Sequence, residues 1–166
     1  MRNPNHIVFV GVMILLATAF AYGQSTPQPA TVQDLERVVN FDASIASLAE
    51  LVRDQAYDQI DANRFFVLEG AVASTQIFDP NPETFQAVIE LVESAWIGLE
   101  EIEVHHIYVL VEGPAYAARL PERLPRDPGP EIIRTNQELL VIGPFIGTAM
   151  LDATTEVAVI QAVAVR

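Results

Sequence analysis

The spacing of apolar side chains changes twice along this 166-residue chain, and each change marks a different kind of element. An uncharged, mostly apolar run fills Ile7 to Tyr22. From Thr31 onward the apolar positions are Leu35, Val38, Phe41, Ile45, Leu48 and Val52. Steps of three and four put them on one helical face, while Glu36, Arg37, Glu50, Arg53 and Asp54 take the other. Thr31 has the side chain of an N-cap with Asp34 three residues on, so the pattern predicts an amphipathic helix within residues 31–60. Asn40 to Asp42 offers a break, where Asp42 would cap a second helix. The apolar stripe is expected to pack within the same chain.

From Phe65 the pattern turns to short runs of Val, Ile and Phe separated by Gly and Pro, which predicts five strands. They are Phe65 to Ile77, Phe85 to Ile97, Ile102 to Val111, Glu138 to about Gly147, and Val157 to Val165. Gly98 opens a tight reversal between the second and third. Gly70 and Gly143 lie inside strands, where glycine marks a bulge or bend, so a sheet that coils on itself is expected. The last strand alternates large with small side chains, as a layer between a tight barrel interior and a covering helix would require. In the connection between strands three and four, Ala115 to Leu120 has room for one or two helical turns before Pro121, Pro125, Pro128 and Pro130 stop any longer helix.

Composition adds the compartment. All nine basic residues are arginine, against 22 acids, and there is no lysine and no cysteine. Schiff-base, P-loop lysine and thiol chemistry are thereby excluded, with disulfides and thiolate metal sites. The early apolar run is short for a membrane span of about 20 residues. With Arg2 before it and small residues Ala21 and Gly23 after it, residues 1–23 read as a secretory signal peptide cut after Gly23 or Ala21. Residues 24–30 then form a flexible, Pro-containing leader. The expected location is periplasmic or secreted, with no stable membrane anchor after cleavage. The acidic excess, formally −13, repels phosphates and argues against a nucleic-acid partner.

Two segments carry a resemblance. Leu68-Glu69-Gly70-Ala71-Val72 and Gln137-Glu138-Leu139-Leu140-Val141-Ile142-Gly143 are similar to the first-strand glycine motif and fourth-strand motif of bacterial exported OB-fold proteins. The resemblance covers residues 65–166 and implies a mainly β fold, a small five-stranded OB-like barrel preceded by the amphipathic helix. It carries over no functional residue. Glu90, Glu93, Glu100, Glu101 and Glu103 on the second and third strands and their turn depart from the basic, aromatic pattern of oligonucleotide-binding members.

Three constellations are candidates for chemistry. Glu101, Glu103 and His105 share one face of a strand at period two, and carboxylate oxygens with a neutral imidazole are ordinary ligands of a divalent cation. The same residues also fit a solvated acidic face. Asp79-Pro80-Asn81-Pro82-Glu83, with Glu90 beyond, has the oxygen spacing of a calcium loop, but Thr84 stands where such a loop needs glycine, which favours a Pro-stiffened turn. Arg119, Arg123 and Arg126 form a patch fit for a carboxylate or an acidic partner segment, or for neutralising nearby acids. No serine has a nucleophile-elbow setting and no cofactor is implied. The expected function is an exported non-catalytic binding or assembly module engaging another exported protein. A small-ligand or divalent-cation-binding domain is the alternative, and a hydrolase ranks last.

Overall fold

The computed structural model describes residues 31–98 and 101–166, so the expected signal peptide and leader, Leu99, and Glu100 lie outside the described residues. In chain order the elements are α1 (Val32–Val38), β1 (Val39–Asn40), α2 (Ile45–Arg53) and a 3-10 turn (Tyr57–Gln59). They continue with β2 (Phe65–Asp79), β3 (Gln86–Ile97), β4 (Glu101–Glu112), α3 (Pro114–Ala117), β5 (Glu138–Met150), β6 (Glu156–Gln161) and β7 (Ala164–Val165). Among the described residues no helix is long and apolar enough to cross a membrane.

The strand pairing is that of a closed OB barrel. Strands β2, β3 and β4 form an antiparallel meander, β4 pairs with β6 in parallel, β6 pairs with β5, and β5 returns to β2 to close the ring of five. Strand β2 serves two neighbours: Phe65 to Ala71 pairs with β5, and Ala71 to Asp79 pairs with β3. The change of partner falls at Gly70 and Ala71, with a register shift between Val72 and Ser74, where the expected coiling of the sheet occurs. A Cβ at Gly70 would sit 2.6 Å from Ile45 Cδ1 and 2.8 Å from the Val92 carbonyl oxygen, so the strand can pass there only as glycine.

Alternating residues fill the interior: Phe66, Leu68 and Val72 from β2, Ala87, Ile89 and Leu91 from β3, Ile107, Val109 and Val111 from β4, Leu139 and Val141 from β5, and Ala158 and Ile160 from β6. Helix α2 covers one end with Ile45, Leu48 and Val52, packing on β4 and β6. At the opposite end of the β3–β4 ribbon, Tyr116, Leu120 and Ile133 of the long connection join the core.

Two expectations are corrected. The helix expected within residues 31–60 is divided at the break offered at Asn40 to Asp42, but Ser44, not Asp42, caps the second part, in a reciprocal capping box with Ser47. The break has a local cause: the Asn40 side chain accepts from the Asp42 and Ala43 amides (3.0 and 3.2 Å), while Val39 and Asn40 pair in parallel with Phe65 and Phe66. Arg64 secures it by donating to the carbonyls of Glu36 and Val39, both at 2.6 Å. As a result only the second half of the stripe is buried, and Leu35, Val38 and Phe41 stay exposed. The expected last strand is also divided. After Gln161 the chain crosses from β4 to β5, with the Ala162 amide donating to Leu110 and the Val163 amide to Ile142. A Cβ at Gly143 would meet the Gln161 carbonyl oxygen, so the crossing needs glycine beneath it.

Candidate functional site

Beyond Val92 strand β3 has left β2, and before Ile107 strand β4 has not yet met β6. The ribbon of Glu93–Ile97 and Glu101–His106 therefore runs past the barrel with two different faces. Odd-numbered positions look toward α2 and even-numbered positions look outward, except that Val104 and His106 also border the cleft beneath α2.

The α2 side holds the predicted acidic and histidine residues. Glu93 accepts from the Ala46 amide at the start of α2 (3.0 Å). Glu103 is half-buried, with one oxygen 3.5 Å from Arg53 Nη1 and the other 3.7 Å from His105 Nε2. His105 is only 7% exposed, and its ring makes no hydrogen bond among the described residues. Glu101 stands exposed at the start of β4. The structure thus brings Glu103 and His105 together and leaves Glu101 apart, and among the described residues no group of three or more His, Asp or Glu is assembled to hold a metal ion. Around Glu103 and His105 opens a cleft of about 420 Å³, lined also by Ala49, Val52, Arg53, Gln55 and Glu156. Hydrogen bonds from the Thr148 hydroxyl and then the Tyr57 hydroxyl (2.7 Å) hold the Glu156 carboxyl below its usual range.

The outward side is apolar, and sequence reasoning missed it. A trough of about 320 Å³ is lined by Phe78 of β2, Val88 of β3, Tyr108 and Leu110 of β4, Met150 of β5 and Val159 of β6. Phe78 is 58% exposed. Farther along the same face, Trp96 pairs across the ribbon with Ile102 and stands 70% exposed. Two turns flank this face. In one, Asp79 accepts from the Asn81 amide (2.9 Å) and the Thr84 hydroxyl (2.6 Å), which fits the stiff-turn reading of Asp79 to Glu83. In the other, Asp152 accepts from the amides of Thr154 and Thr155 (2.7 and 2.8 Å), and these bonds hold its carboxyl down to about 2. Burial raises the Tyr108 hydroxyl above its ordinary value, with the Glu90 and Asp152 carboxylates adding to the effect. The signal for this face lay in Ile107-Tyr108-Val109-Leu110-Val111, where five consecutive apolar residues mean that both faces of a strand are apolar.

A polar relay crosses the trough's edge: Ser74 Oγ donates to Glu90 (2.7 Å), whose other oxygen lies 2.8 Å from His106 Nδ1. The order differs from that of a nucleophilic triad, because the hydroxyl meets the carboxylate and not the imidazole. In the arginine patch, Arg119 is committed to the fold. Its guanidinium donates to the carbonyls of Glu131 (3.2 Å) and Val165 (2.9 Å) and lies over the Tyr116 ring, which ties the long connection to β7. Arg123 and Arg126 stand exposed on the loop that follows.

No protein-family model and no curated protein matches the chain. Among solved structures it is similar to a small single-stranded DNA-binding protein from Streptomyces coelicolor, at 12% identity and a TM-score of 0.37, over 61% of this chain and 89% of that one. The expectation that nucleic acid is excluded as a partner does not hold. The physical reason is that counting acids along the strands was no measure of one face. Glu93 and Glu103 turn toward α2, Glu101 stands at the ribbon end, and Glu90 is engaged by Ser74 and His106. At this TM-score the likeness assigns no ligand to the chain.

Proposed function

We propose that this chain is an exported, non-catalytic binding module whose outer trough receives an extended segment of another exported protein. The observation that carries the reading is the apolar trough at Phe78, Val88, Tyr108, Leu110, Met150 and Val159, open to solvent on the barrel face between two ordered turns. In OB barrels the corresponding strand face and its flanking loops are where ligands bind. Aromatic and methionine side chains are the anchors that partner surfaces use most. Among its lining residues no arginine appears, while Glu90, Asp79 and Asp152 stand nearby. That rim favours a segment with apolar anchors and basic flanks. Export is supported by the N-terminal pattern, so intact-mass analysis of protein from the exported fraction should find a chain beginning at Gln24 or Tyr22. Retained Met1 would refute it.

The trough is tested by NMR with two probes, the peptide Arg-Val-Tyr-Val-Arg and a thymidine oligonucleotide. The peptide should shift the resonances of Val88, Tyr108 and Leu110. Phe78→Ala and Tyr108→Ala should weaken that response about tenfold or more, as loss of an aromatic anchor does. A peptide that moves none of these resonances, or an oligonucleotide that moves them at lower concentration, overturns the reading.

A further inference from the structure

The cleft beneath α2 is separate from the outer trough and has its own chemistry. Its walls are apolar at Ala49, Val52, Val104 and Val157, and its polar groups lie to one side. Three features there attract positive charge. The cleft takes in Ala49, Val52, Arg53 and Gln55, so it lies at the C-terminal end of α2, where helix carbonyls leave a partial negative charge. Glu103 and Glu156 contribute two carboxylates, and Glu156 is kept ionised by its hydroxyl donors. The third feature is His105, more than nine-tenths buried, lining the cleft, with neither ring nitrogen hydrogen-bonded among the described residues. An imidazole with both ring nitrogens free of protein partners is open to accept from a donor bound in the cleft.

Charge facing the cleft from every side fixes the sign of the ligand. Arg53 is the one cation among the lining residues, and it sits at the mouth, 59% exposed, 3.5 Å from both Glu103 and Asp54. Behind it, Glu103 Oε2 and His105 Nε2 are 3.7 Å apart, too far for a good hydrogen bond to each other. One ammonium placed between them reaches both at about 2.8 Å. We propose that this cleft binds a small organic cation, a primary ammonium on a short apolar body, with Glu103 and His105 accepting from the ammonium and Val52, Val104 and Val157 packing on the body. Arg53 is then a resident competitor for Glu103.

The probe is n-butylammonium chloride, followed through the His105 imidazole resonances of the full-length protein, with sodium chloride and n-butanol as controls. Butylammonium should give a saturable shift that neither control reproduces. Glu103→Gln, at a half-exposed position that leaves the fold intact by circular dichroism, should weaken the response about tenfold or more. Arg53→Gln should tighten it, by up to about fivefold, the worth of an exposed ion pair. The proposal is overturned if sodium chloride produces the same shift, or if Glu103→Gln binds as well as the unaltered protein. Failure of the trough test leaves these readouts untouched, since no residue is shared between the two sites.

Discussion

A methyl group at position 70 has nowhere to go: Ile45 Cδ1 could turn aside, but the Val92 carbonyl is part of the β2–β3 ladder and cannot move without loosening it. Gly70→Ala should therefore cost about 1–3 kcal/mol, the usual range for overpacking, and Gly70→Val should cost more despite valine's preference for strands. Urea melts of the two variants measure the difference, and equal midpoints would show the position to be ordinary strand. Asp152 gives a second prediction at this scale. Its carboxyl is held down to about 2 by the amides and hydroxyls of the Thr154 and Thr155 turn. A depressed folded pKa means that the charged form stabilises the fold above the unfolded value and that this contribution is lost as pH falls through the folded one. The gap in melting temperature between the protein and Asp152→Ala should hold steady above about pH 4 and shrink between about 4 and 2.

The two helices show what an apolar stripe can and cannot tell. Periodicity over Leu35, Val38, Phe41, Ile45, Leu48 and Val52 continues across a break, because the residues that end α1 act through Asn40 and through pairing with a strand that begins at Phe65, neither of which leaves a trace in apolar spacing. The break decides the energetics. Leu48→Ala should cost about 2–5 kcal/mol, as in other buried sites, whereas Leu35→Ala, on an exposed helix, should stay within about 0.5 kcal/mol. Thermal melts of the two variants check this, and equal losses would mean that α1 is packed as tightly as α2. Strands read better than helices here. Alternation and internal glycine placed β2 through β5 within a few residues, since a barrel interior enforces period two directly. The division of β6 from β7 was hidden because Val157 to Val165 contains no glycine or proline to mark it, and the crossing is enforced from outside by backbone bonds to Leu110 and Ile142. The site was partly legible for the same reason. Shared parity placed Glu103 and His105 on one face, but which face looks at α2 and which at solvent depends on where the helix lands.

For the molecule as a whole, a formal charge of −13 acts at a distance, through encounter more than through contact. Association with the basic peptide should slow as salt is raised while its dissociation rate changes little, because steering is screened and apolar anchoring is not. Stopped-flow kinetics at two salt concentrations measure this, and an association rate indifferent to salt would mean that the rim carboxylates play no part. The closed ring has a consequence in time. Its meander of β2, β3 and β4 is made of neighbours and can form early, but closure joins Phe65 to Pro144 and Ile107 to Ala158, contacts that wait for the C-terminal strands. Contacts this distant in sequence place refolding in the millisecond-to-second range typical of small β barrels. A chain emerging N-terminus first spends that interval with the edges of β2 and β4 unpaired, and its surplus of negative charge is then what keeps one unfinished molecule from zipping onto the next.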